Sequence, residues 1–223
     1  MTRQNAAPQS LPAPGDRERA PLAHRVLRQP VRRALERFFD FHVEGPEHLP
    51  ADEPYIVAAN HHNYLDGVVL TLAIPRPLAF IVMPRVYRAT PLHPLLHRHV
   101  GSIPINLERP DVGALRRALE RLRQGGLVGI FPEGPFSTRG RLEPGLPGVG
   151  LLALRSGVSV VPAGIRGTYE ALRGRWGYVP RRHPLSVRLG VPRRFSPDRL
   201  RGLRSNRLAV TQRIMDDIAA LLT

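Results

Sequence analysis

The stretch YIVAANHHNYLDGVVLTLAI, residues 55–74, decides the architecture. Tyr55 to Ala59 is a short β-prone run, Asn60 to Asp66 is a crowd of polar side chains, and Gly67 to Ile74 suits a buried helix. A strand leading through a polar turn into a helix is half of an α/β unit. In open α/β sheets such strand exits are where sites are built.

Outward from this stretch the alternation continues. Leu78 to Met83 is a strand candidate before Pro84, and Ile103 to Ile105 is a short strand inside the segment Gly101 to Arg109. Asp111 can cap a helix whose Val112, Leu115, Leu119 and Leu122 share a face, with Gly125 and Gly126 ending it. A strand from Leu127 to Phe131, a Gly/Pro loop from Pro132 to Pro147, a helix through Leu151 and Leu154 and a strand from Ser159 to Ile165 follow. Leu185 to Leu189 is a further strand. Leu208, Thr211, Ile214, Met215, Ile218 and Leu221 mark a last amphipathic helix. The expected class is α/β, a single domain with a largely parallel, mixed sheet flanked by helices.

Upstream, residues 1–20 read as a disordered tail rich in Pro, Ala, Gln and charge, leaving 21–223 as the folded domain. From 25 to 41, Leu27, Val31, Ala34, Leu35, Phe38 and Phe39 recur at helical spacing, with Arg28, Arg32, Arg33 and Arg37 at the edges or opposite. That is a basic amphipathic helix, suited either to a membrane interface or to packing on the domain.

The 223 residues fit one domain with a full-sized core. The absence of cysteine excludes disulfides, thiolate zinc sites and a Cys nucleophile. All 33 basic residues are Arg against 18 acidic ones, a formal charge of +15, which implies an anionic partner: nucleic acid, an anionic lipid surface or a phosphorylated substrate. The longest nearly apolar run, Val68 to Ile74, is far short of the roughly 20 residues that span a bilayer. The N-terminus lacks the pattern of a secretory signal, so a peripheral place on the cytoplasmic face of the membrane is the expectation.

The chemistry is expected in the polar turn. A His and a carboxylate at a strand exit have the address of a general base and its partner. Residues five apart on a continuous helix are turned by about 140°, so His61 meets Asp66 only if the chain bends between them, whereas His62 and Asp66, four apart, would meet on an unbroken helix. Spacing leaves both open, together with a third reading in which Asp66 caps the next helix and the histidines are solvated. Phe131, Pro132, Glu133 and Gly134 again place polarity at a strand exit. Val160, Val161 and Pro162, ending in Arg166 and Gly167, form a fourth segment of the same kind.

These four segments, in this order from Tyr55 to Gly167, resemble the glycerophospholipid acyltransferase family, in particular lysophosphatidic acid acyltransferases of the bacterial type. The family's His, four residues, Asp motif is matched by His61 and Asp66, preceded by Asn60, and Phe-Pro-Glu-Gly is matched in full at 131–134. The resemblance implies that His61 is the base and Asp66 its orienting partner. It implies substrate-binding roles for Arg109, Glu133 and Gly134, and for the motif neighbours Asn60 and Asn63. It further implies a lysophospholipid acceptor and a thioester donor, acyl-CoA or acyl carrier protein, with no metal and no cofactor. The chain departs from the family at three places. Pro135 and Phe136 stand where Thr-Arg is usual, Leu146 where Lys is frequent, and Asn63 where a small hydroxyl residue is common. The departures leave the reaction type intact and bear on the acceptor, which could instead be a lysolipid with a larger headgroup or an aminoacyl lipid.

Other patterns carry less. Gly148 to Ala153 fits a dinucleotide fingerprint but follows a loop instead of a strand, so helix packing is the expectation. His93, His97 and His99 have helical spacing for a metal without the Glu of a zinc peptidase, and read as a polar face. No Gly-x-Ser-x-Gly elbow or phosphate-binding Gly-Lys-Ser/Thr loop is present. A nucleic-acid binding module is a distant alternative: the Arg residues are scattered, aromatic content is only 6%, and no nucleic acid partner is expected.

Overall fold

The computed structural model describes residues 22–83, 102–105, 111–172, 180–196 and 202–223. Among these residues seven strands, β1 (His42–Glu44), β2 (Tyr55–Ala59), β3 (Leu78–Val82), β4 (Ile103–Pro104), β5 (Leu127–Ile130), β6 (Ser159–Arg166) and β7 (Ser186–Leu189), form one sheet in the order β1-β7-β6-β2-β5-β3-β4. Every neighbouring pair is parallel except β6 and β7. The helices are α1 (Leu22–Phe39), α2 (Tyr64–Ala73), α3 (Val112–Arg123), α4 (Gly148–Ser156), α5 (Thr168–Leu172) and α6 (Leu203–Ala220).

The sheet is buried on both faces, which is why its strands read as nearly unbroken apolar runs. Along β2, Tyr55, Val57 and Ala59 point into one core with Phe41, Val69, Leu70 and Ile74, the side of α2, where Leu35 and Phe39 of α1 also pack. The alternate residues Ile56 and Ala58 point into a second core with Ala114, Ala118, Leu122, Val149, Leu152 and Ile214, the side of α3, α4 and α6. The period of two along the strand divides the residues between the two layers.

The chain leaves β2 into α2, on the first face, and reaches β3 on the far side of β5. It leaves β5 into α4, on the second face, and reaches β6 on the opposite side of β2. The connections part between β2 and β5, so this is the switch point of the sheet, where a crevice opens outside the carboxyl ends of the strands. Both polar motifs leave from it.

The expected elements are present with shifted ends. The N-terminal helix runs from Leu22 to Phe39 with Pro30 inside it, and Asp40, at φ 47°, turns the chain out. The helix after β2 begins at Tyr64, three residues before the expected Gly67. β1 and α5 had no periodic signal because they are three and five residues long. The Gly148 to Ala153 segment is α4, and Gly150 is a packing glycine: a Cβ there would lie 2.1 Å from the Arg207 carbonyl oxygen of α6. Residues 1–20, His93, His97, His99 and Arg109 lie outside the described residues.

Candidate active site

The polar turn after β2 resolves the choice between the two histidines. Asn63 is fully extended (φ −166°, ψ −172°) and is the N-cap of α2, so residues 61–63 stand outside the helix and the chain bends before it. The bend brings the His61 ring to Asp66: Nδ1 lies 2.9 Å from Asp66 Oδ2. The same oxygen accepts from the main-chain N–H of His62 at 2.6 Å and of Asn63 at 2.7 Å. Asp66 is the N3 residue of a capping box with Asn63. One carboxylate therefore starts the helix and orients the imidazole; the capping role holds, but the solvated histidines expected with it do not, since both rings are buried.

Asp66 is fully buried. Burial pushes its carboxyl up, and the hydrogen bonds from His61 and from the Asn63 main chain outweigh that, leaving it below the usual carboxylate range. The His62 side chain turns the other way, edge-on to the Tyr169 ring at 5.8 Å. Both its ring nitrogens are buried, and among the described residues neither has a hydrogen-bond partner. Burial pulls its pKa down, more than Asp66 and Glu170 raise it, and the ring is kept neutral.

The loop after β5 closes over His61. The Phe131 ring stacks on the imidazole at 3.7 Å with 5° between planes, and Phe136 meets it edge-on at 4.4 Å. Tyr64 lies edge-on behind Phe136 at 4.9 Å. Glu133 is buried, its Oε1 accepting from the His61 N–H at 2.7 Å. Gly134 sits at φ 79°, where a side chain would be strained, and its N–H donates to Phe131 O at 3.0 Å to close the turn.

The sequence-predicted residues thus divide. His61, Asp66, Glu133 and Gly134 come together at the switch point. Asn60 and Asn63 are adjacent, but their side chains are spent on the scaffold. The Asn60 amide, fully buried, donates to Ile165 O at 2.9 Å and accepts from Ile165 N at 2.7 Å, joining β2 to β6. The Asn63 amide donates to Thr168 O at 2.7 Å and accepts from the Leu65 N–H at 2.9 Å. Their place in the geometry is to hold the turn that holds His61. Phe131 and Phe136 as ring partners of the base have no signal in the sequence, although Phe131 opens the Phe-Pro-Glu-Gly motif and Phe136 stands in the loop after it. Ring contact across two strand exits leaves no trace in periodicity.

No group of three or more His, Cys, Asp or Glu among the described residues is arranged to hold a metal ion. The arrangement can do acid–base work at His61 Nε2, since Nδ1 is occupied by a carboxylate that fixes the tautomer.

Comparison with known proteins bears on the family and the fold. The chain is 33% identical over 134 residues to a chloroplastic 1-acyl-sn-glycerol-3-phosphate acyltransferase of Arabidopsis thaliana, covering 59% of this chain and 37% of that one. It is 26% identical over 93 residues to the 1-acyl-sn-glycerol-3-phosphate acyltransferase of Bacillus subtilis, covering 41% and 46%. The chain thus spans less than half the length of these relatives. The crystal structure of the 1-acyl-sn-glycerophosphate acyltransferase PlsC from Thermotoga maritima superposes with a TM-score of 0.65 at 26% identity, over 87% of this chain and 80% of that one. The Acyltransferase family model matches residues 40–166, more than half the chain and the whole span from β1 through both motifs to the end of β6, and the chain belongs to that family.

Proposed function

We propose that this chain moves a fatty acyl group from a thioester carrier, acyl-CoA or acyl carrier protein, onto the free hydroxyl of lysophosphatidic acid, making phosphatidic acid. The observation that carries the reading is the His61 imidazole held at 2.9 Å by a buried carboxylate, at the switch point between β2 and β5. His61 Nε2 takes the proton of the acceptor hydroxyl as its oxygen attacks the thioester carbonyl. Asp66 fixes the tautomer and stabilises the imidazolium that forms. The proton then leaves with the thiol. This is the logic of a hydrolase triad with the nucleophile supplied by the substrate. A positioned base contributes about 100- to 10,000-fold, and proximity supplies much of the rest. The thioester is already activated, so the reaction calls for no metal and no redox cofactor. Arg109 is assigned to the acceptor phosphate, for which a guanidinium is the best-shaped side chain.

The substrates belong to a bilayer, and α1 is suited to meet it. Arg28 of this helix reaches back to the Leu72 carbonyl at 2.8 Å, and Leu35 and Phe39 pack on the core. Val31, Leu27 and Phe38, at helical spacing, remain 37%, 56% and 62% exposed. Arg33 and Arg37 are exposed on the same helix. One face of α1 packs on the core, and the exposed face with Leu27, Val31 and Phe38 is the one assigned to the membrane interface. We assign the protein to the cytoplasmic face of the membrane as a peripheral enzyme. No described helix is long and apolar enough to cross a bilayer.

A second acceptor, a lysolipid with a larger headgroup or an aminoacyl lipid, is favoured by one observation: the side chain edge-on to His61 is the aromatic Phe136, not a cation. The test is the full chain with an acyl thioester and a panel of lysolipids. Turnover highest on lysophosphatidic acid supports the first reading, turnover confined to masked headgroups supports the second, and salt-sensitive duplex DNA binding without thioester consumption overturns both.

A further inference from the structure

His61 is gripped by its main chain as well as by its ring. Its N–H donates to Glu133 Oε1 at 2.7 Å, and its carbonyl accepts from the Ser137 N–H at 2.8 Å. Phe131 and Phe136 hold the ring, so all four grips come from residues 131–137, a segment that follows β5, while His61 follows β2. Glu133 is the centre of this arrangement. It is 5% exposed, and its second oxygen, Oε2, accepts from the Glu143 N–H at 2.7 Å. The far end of the loop is closed separately by Leu146 N–H on the Pro132 carbonyl at 2.7 Å. A buried carboxylate has acceptors only, and here both oxygens face main-chain donors from separate segments.

We propose that Glu133 is a positioning residue, a strap from the main chain of His61 to the main chain of Glu143 that fixes the 131–147 loop against the catalytic base, and that it does not hold the acceptor headgroup. The strap needs two acceptor oxygens. An amide has one, because its nitrogen only donates, and a protonated carboxyl likewise turns one oxygen into a donor. Burial pushes the Glu133 carboxyl up to about 7, the Glu143 and His61 N–H groups pull it back, and the charges of Asp66 and Glu143 add to the rise. Among the described residues those two carboxylates are the charged groups that bear on it, and His61 acts through its main-chain N–H.

The test is Glu133→Gln in the full chain. The kinetic arm rests on the acyl-transfer reading; the spectroscopic arm does not. We expect kcat to fall about 100-fold, the scale on which a small misplacement of a catalytic group is felt, with the acceptor KM within about twofold of wild type. In amide NMR spectra the His61 and Glu143 N–H protons should both move upfield in the variant. In the wild type they should shift together with a midpoint near 7, a titration absent from the variant. An acceptor KM that rises with kcat unchanged would overturn the proposal, as would His61 and Glu143 amides that ignore the substitution. Should the variant not fold, the wild-type spectra decide alone: His61 and Glu143 amides that shift in step, whatever the midpoint, support the strap, and amides that do not shift in step overturn it. If the wild type transfers no acyl group, the proposed function fails while the amide shifts still judge the strap.

Discussion

Replacing Asp66 by Asn tests the coupling of fold and chemistry in one atom. Asp66 Oδ2 receives three donors, His61 Nδ1 at 2.9 Å, His62 N at 2.6 Å and Asn63 N at 2.7 Å. In Asp66→Asn the two main-chain N–H groups can be met only by the amide oxygen, so the oxygen stays where it can also accept from Nδ1, and the tautomer is kept. What is lost is charge. A hydrogen bond to a charged group contributes about 1.5–3 kcal/mol, and at about 1.4 kcal/mol per decade kcat falls roughly 10- to 150-fold. That is milder than the roughly 10,000-fold loss when an amide presents the wrong tautomer in a hydrolase triad. Asp66→Ala behaves differently. It strands two buried N–H groups at about 1–3 kcal/mol each and undoes the capping box, a large part of a typical domain stability of about 5–15 kcal/mol. The assay is kcat for thioester-dependent acylation beside thermal unfolding for both variants. An Asn variant with wild-type kcat, or one as unstable as the Ala variant, would refute the reasoning.

Four further outcomes follow from the same geometry. His62→Ala should leave kcat within about threefold, whereas His61→Ala removes the base's roughly 100- to 10,000-fold; steady-state kinetics separates them. The lowered His62 pKa means the folded chain binds fewer protons than the unfolded chain as pH falls below the ordinary His value of about 6.5. Stability is therefore held above that value and lost below it, and His62→Phe should flatten that limb of the unfolding midpoint against pH. Changing Leu27, Val31 and Phe38 to Ser together should weaken flotation with anionic vesicles at least tenfold while leaving the unfolding midpoint near wild type; undiminished flotation would remove the interfacial role of α1. Arg109→Ala should raise KM selectively for lysophosphatidic acid over a lysolipid with a masked phosphate, since a charge-assisted bond of about 1.5–3 kcal/mol is lost only there; equal small effects would leave Arg109 structural.

Much of this was legible in the sequence, and the limits are physical. The strand Tyr55–Ala59 and the helix capped by Asp111 are found where pattern and capping chemistry place them, because each rests on local rules: β-propensity, apolar period and an Asp side chain accepting the Ala114 N–H at 2.8 Å. The existence of the three-residue β1 and the antiparallel orientation of β7 against β6 were not legible, since β1 pairs with residues 144 positions away and a strand's direction leaves no mark in its own apolar pattern. Within the site, the motif identified His61 and Asp66 as partners, but periodicity could not show that Asn63 breaks the chain into an extended residue and so selects His61 over His62. The substrate-binding roles of Asn60 and Glu133 are what the family resemblance implies, and no local pattern shows where their hydrogen bonds go. Their hydrogen bonds go to the main chain of Ile165, and of His61 and Glu143, which only the packed fold brings within reach.

The central claim is that His61 takes the proton from the acceptor hydroxyl. The most direct measurement is thiol release from an acyl thioester, followed in time with and without lysophosphatidic acid, for wild type and His61→Ala. The account predicts release in the wild type that depends on the acceptor and matches the phosphatidic acid formed, with no acyl group left on the protein, and release in His61→Ala reduced by at least 100-fold. Acceptor-independent release with acyl group bound to the chain, or a His61→Ala variant that keeps wild-type turnover, would contradict it.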